Sequence, residues 1–217
     1  MSTFFDDEIN CSCCGGKVKV TCIGSTNSFG GCDLDTRPAP MQRWTMGYWI
    51  QACPHCGYVN SDLEEYIPGV ESIINSKEYI ECDGLQVEAE LAKYFIRWGL
   101  ICSKQNNLKE EAFAYLHAAW VCDDSNEREA AVLLRKKCET LLVRIMEKDE
   151  SDDLKLIDAD LLRRSGQFAE VIKRYSDADK CASKQIVVDG LRFEVEKAKD
   201  EDMNRYKFAG NGKFETV

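Results

Sequence analysis

Cys11-Ser-Cys-Cys14-Gly15 and Cys53-Pro-His-Cys56-Gly57 repeat one pattern, Cys-Xaa-Xaa-Cys-Gly, and their reading decides how the N-terminal part of this chain folds. The spacing lets a single tight turn present two sulfurs to one tetrahedral ion. A glycine after the second cysteine permits the left-handed backbone that turns amide N–H groups toward the sulfurs. The glycine also sets the register: Cys14 precedes Gly15 as Cys56 precedes Gly57, whereas Cys13 precedes another cysteine and reads as a bystander. Two such knuckles, separated by a stretch able to form a hairpin, predict a small β ribbon closed by Cys11, Cys14, Cys53 and Cys56 around one metal ion. Zinc is the expected cofactor, as one ion. Iron is the rival, because four thiolates suit either metal and Cys-Pro-Xaa-Cys-Gly is also the knuckle of rubredoxin-like electron carriers.

Composition sets this ribbon apart from the later part of the chain. Of 217 residues, the first sixty hold most of the cysteines, half of the glycines and all but one of the prolines, while the remainder is charged and helical in pattern. The net charge of −10 lies mostly in the helical part. An acidic chain without a basic run repels phosphate backbones, so nucleic acid is not an expected partner. The opening Met-Ser-Thr-Phe-Phe-Asp-Asp-Glu has neither a basic n-region nor an apolar h-region, so a cytoplasmic location is expected. In a reducing compartment the twelve cysteines read as thiols and metal ligands rather than a disulfide framework. No apolar run approaches the roughly 20 residues needed to span a bilayer, and no membrane association is expected.

Along the chain, residues 17 to 23 alternate polar and apolar as a half-buried strand does, and the aromatic-rich residues 44 to 52 read as a second strand. Between them Gly24 to Pro40 is built from turn residues and predicts a long loop, long enough to be a candidate functional surface. From about Leu85 the period becomes helical. Leu91, Phe95, Trp98 and Cys102 share one face, Asn106-Asn107 breaks the helix, and Ala112, Tyr115, Leu116 and Ala119 continue in a second. Small residues at Gly99, Ala112 and Ala119 allow the close approach found in tetratricopeptide helix pairs. A second match runs through Ala159, Leu162, Gly166, Phe168, Val171 and Tyr175, with one long amphipathic helix predicted between them over residues 126–147 and a last helix over Ile186 to Tyr206. The expected fold class is α+β, mostly α. It comprises a zinc ribbon with a long inserted loop at 1–62, a connecting segment at 63–86, a tetratricopeptide-like domain at 87–208 and a loose tail at 209–217.

This order of motifs resembles a bacterial family of zinc-ribbon proteins that carry helical repeats: Cys-Xaa-Xaa-Cys-Gly, then Asp33-Leu-Asp35-Thr-Arg37-Pro38, then an aromatic stretch into Cys53-Pro-His-Cys56-Gly-Tyr58, then tetratricopeptide-like helices. The family is uncharacterised, and the resemblance implies metal binding and no established reaction. The extra Cys13, Cys22 and Cys32 depart from the ribbon pattern and leave the full ligand set open.

Other candidate residues are few. Asp33, Asp35 and Arg37 could form a polar binding site on the long loop, or hold it in shape, since aspartate readily serves turns. With two histidines in the chain, His55 reads as solvent-facing and His117 as a helix-surface or groove residue. No catalytic residue emerges, and no enzymatic activity is expected. The function that fits is a zinc-binding protein-interaction adaptor with a protein or peptide partner, a basic one if acidic side chains line a helical groove. A rubredoxin-like electron carrier and a nucleic-acid-binding ribbon are the alternatives.

Overall fold

The computed structural model describes residues 2–210 and 212–217. It is mostly helical with small antiparallel strand pairs, and the chain divides into two compact units: residues 1–29 with 40–131, and residues 30–39 with 132–217.

In the first unit, β1 (Thr3–Asn10) pairs antiparallel with β2 (Lys17–Ser25), running from Phe4 opposite Ile23 to Asn10 opposite Lys17. Cys11 to Gly16 form the turn between them. After α1 (Pro40–Arg43), the short strands β3 (Gln51–Ala52) and β4 (Val59–Asn60) pair around the second knuckle in the same way. Each knuckle is therefore the turn of its own hairpin, and β2 and β3, which lie between the knuckles in the chain, pair with β1 and β4 rather than with each other. β1 carries no apolar alternation that would announce it, and nearly all of it is exposed.

The strand expected over 44–52 forms only at its last residues. Trp44 to Trp49 instead take up successive turns, with a 3-10 turn at Met46–Tyr48. The Thr45 hydroxyl is the local reason: it donates to the Gln42 carbonyl at 2.7 Å and accepts the Trp49 indole N–H at 2.9 Å, a side-chain competition that overrides the β preference of the aromatic residues.

Two short helices, α2 (Val70–Ile74) and α3 (Lys77–Ile80), lead to the hairpin of α4 (Glu90–Lys104) and α5 (Leu108–Asp124). The predicted break is present: Asn106 sits at φ 58° and the Asn107 side chain caps α5 by accepting from the Glu110 amide. A Cβ on Gly99 would lie 3.3 Å from the Tyr115 ring, so α4 and α5 approach closely at the position expected. α4 also packs on α2 and β4, which makes this hairpin part of the ribbon's unit and not of a separate helical domain beginning at 87.

The second unit takes α6 (Arg128–Met146) from residue 132 onward. It continues with α7 (Asp152–Arg164), α8 (Phe168–Tyr175), the short α9 (Ala178–Cys181) and α10 (Gln185–Lys199). α10 packs on both α7 and α8 around Ala159, Leu162, Val171, Val188 and Leu191. The chain ends in a hairpin, β5 (Tyr206–Gly210) with β6 (Lys213–Thr216). The expected loose tail is therefore a paired strand, held by Phe214 stacked on Phe193 at 4.5 Å.

Residues 30–39 extend this hairpin. Leu34 donates to the Tyr206 carbonyl at 3.1 Å, Phe208 donates to the Cys32 carbonyl at 2.9 Å, and Leu34 is buried in the core of the second unit. Gly31 makes the approach possible, because a Cβ there would lie 1.6 Å from the Phe208 carbonyl oxygen. Backbone cannot yield as a flexible side chain can. Gly31→Ala is expected to destabilise the second unit by about 3 kcal/mol, the upper end of ordinary overpacking. Urea unfolding followed by circular dichroism checks this.

Candidate metal centre

The two knuckles are built alike, bond for bond. Gly15 donates to the Cys11 carbonyl at 2.7 Å and Gly57 to that of Cys53 at 2.9 Å, with φ of 71° and 76° at the two glycines. Cys11 donates to the Gly16 carbonyl and Cys53 to the Tyr58 carbonyl, which closes each turn on its own hairpin. Amides of Cys14 and Cys13 bond the Cys11 sulfur, and those of Cys56 and His55 bond the Cys53 sulfur.

This local geometry brings together the four sulfurs that the spacing predicts. The Sγ atoms of Cys11, Cys14, Cys53 and Cys56 all lie within 4.8 Å of one another, the one such cluster among the described residues. Across the knuckles, Cys11 Sγ is 3.8 Å from Cys56 Sγ and Cys14 Sγ is 3.7 Å from Cys53 Sγ. A tetrahedral ion with metal–sulfur bonds of about 2.3 Å requires sulfurs about 3.8 Å apart, whereas a disulfide would hold them at about 2 Å. The donor set therefore fits a closed tetrathiolate metal site of zinc-ribbon type, and all twelve cysteines are unbridged.

Electrostatics point the same way. Burial pushes the Cys11 and Cys56 thiols upward, and the neighbouring sulfurs add to the rise. At Cys53 burial acts upward too, but the bonds from the Cys56 and His55 amides and from the neighbouring thiols outweigh it, leaving that thiol below its usual range. One thiolate forms readily while those of Cys11 and Cys56 are opposed, so a cation is what allows four to coexist.

His55 latches the knuckles without joining the sulfur cluster. Its Nε2 lies 3.0 Å from the Lys17 carbonyl, to which it must donate, and its ring fills the space where a Cβ on Gly16 would stand, 2.5 Å away. Tyr79 adds a second tie by donating to the Gly57 carbonyl at 2.7 Å. Neither tie was legible in the spacing of the cysteines. Cys13 and Cys22 lie outside the cluster, and Cys32 belongs to the 30–39 segment of the second unit. His117 is half-buried against the rings of Trp49, Phe95 and Trp120, with centroids at 5.4, 5.2 and 4.8 Å.

Asp33, Asp35 and Arg37 do not form an open surface: their exposures are 1, 0 and 0 %. The Asp35 carboxylate accepts from the Arg37 amide at 3.2 Å and pairs with Arg164 at 3.4 Å, while Arg205 lies 3.6 Å from Asp33. Asp33 and Asp35 belong to a buried ionic network in the second unit. There Arg163 bonds Asp160 at 2.9 Å and also Glu194, and Arg174 pairs with both Glu139 and Asp158. Sequence reasoning missed this network because α7 places Asp158, Asp160, Arg163 and Arg164 at helical spacings that also suit a solvated face.

No protein-family model matches the chain, and neither a curated protein nor a solved structure matches it. No helix among the described residues is long and apolar enough to cross a membrane.

The metal site makes a sharp expectation. Cys53→Ser is expected to lower bound metal from one ion per chain to well below one and to loosen the first unit, because structural zinc contributes on the order of 10 kcal/mol to small domains. Elemental analysis with hydrogen exchange of β1 to β4 measures both.

The buried acids make another. Burial pushes the Glu194 carboxyl up to about 8 against the pull of Arg163, with Asp160 adding to the rise. The folded state then holds a proton that the unfolded chain, with an ordinary glutamate near 4.3, has released. Stability should therefore fall as pH climbs from about 4.3 toward 8, and Glu194→Gln should flatten that slope in urea midpoints measured across the window.

Proposed function

We propose that this chain is a zinc-binding, non-enzymatic, cytoplasmic adaptor in which a structural tetrathiolate ion holds the ribbon and tetratricopeptide-like helix pairs recognise a protein or peptide partner. The observation that carries the structural role of the ion is the sulfur geometry. Four thiolates at tetrahedral separations fill the coordination shell and leave no position for a water or substrate, as structural zinc sites do. The two knuckles also form the turns of two hairpins too small to be stable alone, which gives the ion a stabilising task.

The recognition role rests on the helices. Helix hairpins such as α4–α5, and the packing of α10 on α7 and α8, are the units from which repeat proteins build concave binding faces. The close approach at Gly99 and the complete burial of Ala112 and Ala119 agree with the tetratricopeptide pattern at those positions. With a net charge of −10, a basic partner is the favoured kind.

The test combines metal identity with partner capture. Purified chain is expected to be colourless with one zinc per molecule. Cross-linking followed by mass spectrometry in lysate of the source organism is expected to recover one recurrent partner protein, bridged to the helices. A red protein with iron would replace the adaptor by an electron carrier, and zinc protein with no recurrent cross-linked partner would overturn the recognition role.

A further inference from the structure

Within the first unit, the segment that follows β4 and the hairpin α4–α5 enclose a cleft of about 500 Å³, inside the range of roughly 300–1,000 Å³ over which proteins hold small ligands or single anchoring side chains. Trp98, Tyr66 and Ile67 supply its apolar lining, and Glu65 and Glu110 its charge. A smaller cavity of about 110 Å³ shares Ser61, Trp98 and Glu110 with it and continues the aromatic wall through Trp49, Phe95 and His117.

Three features give the cleft a sign and a shape. No lysine or arginine lines the larger cavity, so its charged groups are all carboxylates. Both carboxylates are exposed and, among the described residues, neither forms an ion pair or a side-chain hydrogen bond. Trp98 is half-buried, lines both cavities and has no aromatic neighbour stacked on it among the described residues. An indole face beside unpaired carboxylates is the chemistry that receives a cation, and a planar guanidinium uses both parts because it stacks on the ring and bonds carboxylate oxygens through its fork.

We infer that this cleft is the docking point for an arginine side chain on a basic segment of a protein partner. The guanidinium lies against Trp98, with Glu65 and Glu110 as its counter-charges. The inference rests on the adaptor reading and names the partner's anchoring chemistry. It does not depend on the metal's identity.

The test titrates the zinc-loaded full chain with acetyl-Gly-Arg-Gly-amide, with the citrulline peptide of the same shape and no charge, and with the lysine peptide. The readout is the amide and indole shifts in ¹H–¹⁵N spectra. The arginine peptide should bind saturably and shift the Trp98 indole and residues 60–68 and 98–110. Citrulline should bind at least tenfold more weakly and lysine several-fold more weakly. Glu65→Gln and Glu110→Gln, both at exposed positions, should each weaken arginine binding about fivefold with an unchanged spectrum elsewhere. Equal binding of citrulline, tighter binding of lysine, or shifts confined to residues outside the cleft would each overturn the assignment. If a recurrent partner is found whose affinity is unaffected by the Glu65→Gln/Glu110→Gln pair, the adaptor reading stands and the arginine cleft falls. If no partner is found yet the peptide binds as described, the arginine chemistry of the cleft stands, and its place on a partner protein falls with the adaptor reading.

Discussion

Four sulfurs held within 4.8 Å of one another form an arrangement that a protein sustains only with a cation among them or with protons on most of them. The first unit is organised around that constraint. Each pair of ligands occupies a hairpin turn, so the strands exist to aim the knuckles. The knuckles in turn join hairpins that bury little apolar surface of their own: β1 is exposed along nearly its whole length, and β3 and β4 are two residues each. Cross-ties from His55 to the Lys17 carbonyl and from Tyr79 to the Gly57 carbonyl hold the turns in the orientation the sulfurs need. Such second interactions around a metal site commonly set ligand orientation as much as the ligands themselves do.

The second unit depends on charge in another way. Its ionic network is buried, with Asp35, Asp158, Arg163 and Glu194 all at 0 % exposure. Removing one partner from such a network leaves an uncompensated charge and costs several kcal/mol, whereas an apolar replacement of the whole set can be neutral. The network therefore speaks to how uniquely the 30–39 segment is seated more than to how stable the unit is. That segment leaves the ribbon, adds backbone bonds to β5, places Leu34 in the core and delivers its acids to arginines on α7 and beyond.

The helices and the ligand set were legible because each is a local pattern. Helical periodicity located α4, α5 and α6 to within a few residues and marked positions on α7 and α8, since a buried stripe recurs at the period of the backbone itself. The last helix, expected over Ile186 to Tyr206, ends instead at Lys199, and Tyr206 opens β5. Among the β elements, β2 was legible from its alternation at 17–23, and the others were not. Residues 44–52 have the composition of a strand, yet Thr45 diverts them into turns. β1 has no alternation because neither of its faces is buried. The tail beyond 209 is polar, but Phe214 finds Phe193 and pairs the hairpin anyway.

The sequence by itself determined which cysteines converge, because a two-residue spacing followed by glycine encodes its own turn and its second copy supplies the matching pair of sulfurs. It also determined where the long helices α4, α5 and α6 run. Only the tertiary structure decided that the Asp33–Arg37 turn is interior, that α4 and α5 belong with the ribbon, and that Trp98 meets Glu65 and Glu110 around one cleft. In each case the deciding partners lie far apart in the chain, and nothing in a residue's neighbours along the sequence records who will be buried against it.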